Sequence, residues 1–259
     1  MILRARERTI HFPRRPLVMG IVNINDDSLS GDGTLDIGRA LELASGLIVS
    51  GADIIDVGGE SARTNRREIT EQVEIDRVLP FVQRFTECFA NLRPIDGEQL
   101  FPPLLSINTW RPVVVRAILA AGGDLLNDIS ALASDENAVS AAEAGAALLI
   151  MHSVGQPKQN HTHVRYNNVV ETMIEFFASK IDQARRAGVP EDAIILDPGL
   201  DFAKQWSDSL RVMRELGALT RFGRPILLPV SRKNVIGEVL NLVDPKDRDA
   251  GTVACVVAG

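Results

Sequence analysis

The sequence predicts a parallel α/β fold, a (β/α)8 TIM barrel in one domain, entered through an N-terminal hairpin. From residue 17 onward, short apolar runs of strand length alternate with longer amphipathic stretches, the pattern of repeated strand-helix-strand units with a parallel sheet. Almost every run also ends in a polar or charged residue. A barrel draws its chemistry from the C-terminal ends of many strands, whereas an open doubly wound sheet concentrates it at one crevice.

The elements follow in order. Ile2, Leu3, Ile10 and Phe12 are set against Arg4, Arg6, Arg8, Arg14 and Arg15, and no apolar core of signal-peptide length comes after them. This segment therefore reads as a short hairpin and not as a targeting peptide. Strands are expected at 17–23, 53–57, Leu104–Asn108, 124–127, Ala147–Met151, 193–197 and 225–230. Helices are expected at 36–50, 70–90, 111–121, 136–144, 169–187 and 207–219, with a last one beginning near Asp249. Gly51, Gly122, Gly145 and Gly188 stand where helices close before the next strand. Segment 93–103 reads as a surface insertion, and no linker-like stretch divides the chain.

The 259 residues are 45% hydrophobic and 24% charged with a net charge of −6, a profile that excludes disordered, fibrous and membrane-spanning classes. An acidic balance without a long Lys/Arg run excludes broad nucleic-acid binding. Cys88 and Cys255 are far apart in sequence, which argues against a disulfide framework or metal knuckle and fits a reducing cytoplasm.

Five places are candidates for chemistry. Val57-Gly58-Gly59-Glu60-Ser61-Ala62-Arg63 would let backbone amides approach an anion while Arg63 reaches over it; an ordinary Gly-rich turn is the alternative. Asp197 ends a buried apolar strand, where ionisation is costly without partners. A planar heterocycle offering adjacent ring N–H and amino donors would satisfy both its oxygens, and a turn-capping carboxylate is the alternative. Ser231-Arg232-Lys233 follows the seventh run, near the usual anion site of a barrel, or forms a solvated basic turn. His161-Thr162-His163 lies in a polar loop with no carboxylate or Cys nearby, which disfavours a metal pair. His152, after the fifth run, reads equally as a hydrogen-bonded barrel-mouth histidine or an acid/base group.

Six ordered motifs resemble the dihydropteroate synthase family from Leu17 onward. They are Met19-Gly20-Ile21-Val22-Asn23 with Asp27-Ser28, the run from Gly51 to Ser61, Asn127-Asp128-Ile129, Met151-His152, Asp197-Pro198-Gly199 and Ser231-Arg232-Lys233. The resemblance implies a transferase of folate biosynthesis, a sulfonamide target. It would condense 6-hydroxymethyl-7,8-dihydropterin diphosphate with p-aminobenzoate, giving 7,8-dihydropteroate and diphosphate. By matching position, Asn108, Asn127, Met151, Asp197 and Lys233 would bind the pterin. Asn23, Ala62 and Arg63 would hold the diphosphate, with Asn23 ligating Mg2+. Phe202, Pro229, Ser231 and Arg232 would frame the p-aminobenzoate pocket, and Lys233, Arg63 and Asp197 would carry catalysis. A cytoplasmic enzyme acting on small molecules, commonly a homodimer, is the implied setting.

Four positions depart from the family pattern. Asn108 stands for a usual Asp, Ala62 for a Thr, and Asp201 and Pro229 for glycines. The family's final strand, with its Arg-x-His pair, has no counterpart before Gly259, so the single domain over 1–259 is expected to lack its last strand-helix unit. Two rivals follow: a catalytically silent pterin-binding paralogue, and a pterin-dependent methyltransferase domain. The second is disfavoured because no Asp-x-His cobalamin motif occurs.

Overall fold

A computed structural model describes residues 1–26, 33–62, 64, 67–159, 161 and 163–259. The chain opens as the expected antiparallel hairpin, β1 (Ile2–Ala5) and β2 (Arg8–His11), with Leu3 opposite Ile10. Leu3, Ala5 and Ile10 are buried on one face, as a period of two requires. Arginines between them bind the hairpin to the rest of the molecule. Arg6 donates to the Gly123 and Leu119 carbonyls, Arg8 to that of Pro102, and Arg4 pairs with Asp192.

Six parallel strands follow, each hydrogen-bonded to the next in chain order: β3 (Met19–Asn23), β4 (Ile54–Gly58), β5 (Leu104–Asn108), β6 (Leu125–Asp128), β7 (Ala147–Met151) and β8 (Ile194–Asp197). Helices α1 (Ile37–Val49), α2 (Glu71–Phe89), α3 (Pro112–Ala121), α4 (Asp135–Ala144) and α5 (Val169–Arg186) connect them. This unbroken strand order is the winding of a TIM barrel. Helices begin where the sequence supplies a short acceptor or a proline: Asp36, Thr70, Ser134 and Asn168 cap α1, α2, α4 and α5, and Pro112 opens α3.

Both faces of β4 to β8 are covered, which is why their runs are nearly all apolar, whereas β3 at the sheet edge leaves Ile21 exposed. Outward, Val57, Ile107, Leu126, Leu148 and Ile150 pack on helix residues such as Phe81, Ile118 and Phe177. Inward, Ile54, Leu104, Leu125, Ala147, Leu149 and Ile195 form a second core, which Leu3, Ala5 and Ile10 of the hairpin close from the strands' N-terminal end. The opposite end is left for polar residues.

Three expectations are corrected. Segment 225–230 forms only one bridge, Ile226 to Leu196, with Leu196 N–H donating to Pro225 O and Leu227 N–H to Leu196 O. Pro225 and Pro229 bring no N–H, and among the described residues no strand lies on its other side, so a full ladder does not form. Helix 207–219 is instead α6 (Trp206–Arg214) followed by a 3-10 turn, Leu216–Phe222, into which Gly217 falls. After the basic turn a short helix, α7 (Asn234–Leu240), precedes the expected last one, α8 (Asp249–Ala258). No helix among the described residues is long and apolar enough to cross a membrane.

Candidate active site

Strand register brings the polar ends together. Asn23 lies opposite Gly58, Gly58 opposite Asn108 and Asn108 opposite Asn127, so three amides share one rung at the C-terminal rim. Two residues deeper on β4 is Asp56, 3% exposed. Its carboxylate accepts from Ser106 Oγ at 2.5 Å, Asn108 Nδ2 at 3.1 Å and Asn127 Nδ2 at 3.2 and 3.3 Å. Burial pushes the Asp56 carboxyl upward, and these three donors oppose the shift. Asn127 Oδ1 is buried with no hydrogen-bond partner among the described residues.

Asp197 ends β8 opposite Met151 and is 4% exposed. The amide of Gly199 donates to its Oδ1 at 2.7 Å. Burial raises the Asp197 carboxyl to about 6, against the pull of Gly199 and of the Lys233 and Lys204 ammonium groups. Gly199 has φ of +62°, and a Cβ there would lie 2.0 Å from the His152 carbonyl oxygen, so the turn after β8 passes directly over the end of β7. Lys204 fastens that turn. Its buried Nζ donates to His152 Nδ1 (2.7 Å), Gly199 O (2.9 Å), His152 O (3.2 Å) and Phe202 O (3.2 Å). Burial lowers Lys204 to about 7, and burial with the Lys204 charge lowers His152 to about 2. His152 is therefore the hydrogen-bonded barrel-mouth histidine, neutral and accepting at Nδ1.

On the other side of this turn Lys233 Nζ sits 4.9 Å from the centroid of the Phe202 ring. Asp201 has a left-handed φ of +67°, and its carboxylate accepts from the Asn234 amide at 2.5 Å and the Val235 amide at 3.2 Å. The departure from glycine at this position thus buys a cap for α7, which starts directly after Lys233.

The structure groups Asn108, Asn127, Met151, Asp197, Lys233 and Phe202 on the inner rim, with half-buried Asn23 on the same rung at the β3 edge. Ala62 packs on the inner apolar core and Pro229 is half-buried. Ser231 is exposed, while Arg232 forms a two-point ion pair with Asp249 at 2.7 and 3.0 Å and is not drawn into the Asp197 cluster. Arg63, Asp27, Ser28 and Thr162 lie outside the described residues. His161 Nε2 bonds Gln156 O at 3.0 Å, and no group of three or more His, Cys, Asp or Glu suited to a metal occurs among the described residues.

Several site groups escape sequence reading. Asp56 stands out as the polar end of the second run and lies in the Gly51 to Ser61 motif, but its role does not show there; Ser106 could have been noticed as a polar break inside an apolar strand run. Lys204 carries no such signal. Nor does the network in which Glu60 pairs with Arg111 at 2.5 Å and Lys158 at 3.0 Å, Arg111 also binding Glu74, while Lys158 donates to Ser61 O at 3.1 Å. That network ties the turn after β4 to the loop after β7.

A parallel barrel with buried carboxylate and amide acceptors at one rim defines a small-molecule enzyme, and residues 19–259 match the family described as pterin binding enzyme. The chain is 34% identical to the dihydropteroate synthase of Escherichia coli K12 over 243 residues, 93% of this chain and 82% of that one. It superimposes on the Yersinia pestis dihydropteroate synthase solved with a sulfonamide drug complex with a TM-score of 0.88 at 34% identity, covering 100% of this chain and 89% of that one. The Xanthomonas albilineans enzyme solved with 4-aminobenzoic acid gives a TM-score of 0.82 at 31% identity, covering 100% and 89%. The chain belongs to the dihydropteroate synthase family.

Proposed function

We propose that this chain condenses 6-hydroxymethyl-7,8-dihydropterin diphosphate with p-aminobenzoate to give 7,8-dihydropteroate and diphosphate, a step of folate biosynthesis. The observation that carries this reading is the acceptor set of the inner rim. Asp197 has one oxygen held by Gly199, and the orphaned Asn127 Oδ1 lies on the same face. Together they suit the adjacent amino and ring N–H donors of a pterin, with Met151 and the Lys233–Phe202 pair against its ring.

In the reaction the amine lone pair of p-aminobenzoate forms the new C–N bond at the exocyclic methylene. The C–O bond to diphosphate breaks with its electron pair on the leaving group, and the amine proton passes to water. No side-chain nucleophile is needed. The residues bind, orient and stabilise a departing anion. Arg63 and Ala62 flank the diphosphate in this reading, and Phe202, Pro229, Ser231 and Arg232 frame the p-aminobenzoate pocket, where sulfonamides would compete.

Asn23, the residue the family resemblance assigns to the metal, stands half-buried on the rim, and an amide oxygen suits a hard cation that arrives on a diphosphate and keeps most of its waters. We assign Mg2+ to it on that ground; bound there, the ion would neutralise the leaving group. A cytoplasmic homodimer completes the proposal. The free Cys88 and Cys255 fit a reducing compartment, and an apolar groove lined by Met213, Val239, Leu240 and Ala254 along α6, α7 and α8 supports self-association.

The test is diphosphate release with both substrates across a Mg2+ titration. Release that requires p-aminobenzoate is expected, with Asn23→Ala needing more Mg2+. No p-aminobenzoate-dependent release at any Mg2+ concentration would refute the synthase reading and favour a silent pterin binder.

A further inference from the structure

We propose that Asp56, buried two residues below the rim on β4, is a positioning residue: it orients the Asn108 and Asn127 amides so that their oxygens face the ligand, and thereby makes the site selective for a heterocycle that presents donors. The inference rests on the pterin reading and specifies how this chain enforces it.

A primary amide has a donor end and an acceptor end of nearly equal shape, so packing alone does not choose between them. Here a single carboxylate makes the choice twice. Asp56 takes Asn108 Nδ2 at 3.1 Å and Asn127 Nδ2 at 3.2 and 3.3 Å, and Ser106 Oγ at 2.5 Å occupies it from the same layer. Rotating either amide would set its oxygen against the carboxylate, acceptor against acceptor, and at Asn127, 6% exposed beside a 3% exposed Asp56, that clash is shielded from bulk water.

The consequence is visible at Asn127, whose Oδ1 is buried without a partner among the described residues. A buried orphan acceptor is costly and native proteins rarely keep one without use. Its natural occupant is a ligand N–H. The arrangement also gives Asn108 a reason in this chain. An Asp at 108 would place a second carboxylate beside Asp56, whereas the amide supplies a donor inward and an acceptor outward.

The test compares binding of 6-hydroxymethylpterin and of its 2-oxo analogue, in which the amino donor is replaced by an oxygen, by calorimetry on wild type, Asp56→Asn and Asp56→Asn/Asn108→Asp. Wild type should prefer the amino compound. Asp56→Asn removes the constraint, so the preference should shrink about tenfold while thermal melting confirms a folded protein. The double variant moves the carboxylate to 108, where it can again accept from an amide at 56, and should recover most of the preference. An unchanged ratio in Asp56→Asn, or an equal loss for both ligands that the double variant does not rescue, overturns the inference. Failure of wild type to bind either compound would instead refute the pterin reading itself.

Discussion

Asp197 and Lys204 are opposite charges buried under one turn, and their titrations run in opposite senses. The folded Asp197 carboxyl, at about 6, holds its proton more tightly than its ordinary 3.8, so the stability it contributes is full below that ordinary value and is lost as pH rises through about 6. Lys204, lowered from 10.5 to about 7, contributes stability that is full above 10.5 and lost as pH falls through about 7. In the proposed pterin contact the carboxylate form of Asp197 is the two-point acceptor. Affinity for 6-hydroxymethylpterin should therefore fall about tenfold per pH unit below pH 6, the slope of one proton. Asp197→Asn should bind weakly at every pH and show a flat profile in calorimetry. A wild-type profile flat from pH 7 to pH 5 would remove Asp197 from the pterin contact.

At the scale of the element, the turn from Gly199 to Lys204 and the start of α7 act as one piece. Lys204 binds the turn to the end of β7 through the His152 carbonyl, and Asp201 binds it to α7 through the Asn234 and Val235 amides. Phe202 and Lys233 are thereby held on facing sides of a rigid joint. Asp201→Ala loses the cap and keeps the strained left-handed backbone, so urea unfolding should show a loss of about 1–2 kcal/mol. Asp201→Gly loses the same cap but accepts the positive φ of +67°, and should recover roughly 1 kcal/mol of it. Equal stability of the two variants would show that the backbone conformation is not strained. Such a joint is invisible to periodicity, because its two halves lie more than thirty residues apart in sequence.

Across the whole molecule, one end of the barrel is fastened so that the other can hold polar groups. Asp53 enters β4 fully buried and accepts from the Val18 amide (2.7 Å), the Leu100 amide (2.7 Å) and Arg15 (2.9 Å), joining the approach to β3, the 93–103 insertion and the hairpin region. Gln99 adds two bonds from the insertion, to the Ile48 and Ala52 carbonyls at 2.9 Å each. Asp53→Ala would leave those donors unpaired and should cost about 3 kcal/mol, seen as a fall in Tm of roughly 6–12 °C by calorimetry. A fall of under 2 °C, by the same size scaling, would show that the junction is not structurally coupled.

Most of the architecture could be read from residue order. Five of the six strands of the sheet were expected within one residue at each end and the remaining one, β3, within two, because runs covered on both faces are continuous in apolar character and bounded by caps and glycines. The run 225–230 shows the limit: an apolar segment becomes a ladder only with neighbours, and pairing is a property of space. The site divides in the same way. Asp197 and Asn127 were legible as motif residues at strand ends, and Lys233 as part of the basic motif after the seventh run. Asp56 and Ser106 show in the sequence only as polar residues in apolar runs, which gives them no role, and Lys204, a lysine in a loop, has no distinguishing local pattern. Local chemistry dictates which segments are strands and helices and which ends are polar. Whether Asp56 faces two amides, and whether Lys204 is sealed beneath a turn with its charge lowered, depends on strand register and burial, which arise only when distant segments exclude water together.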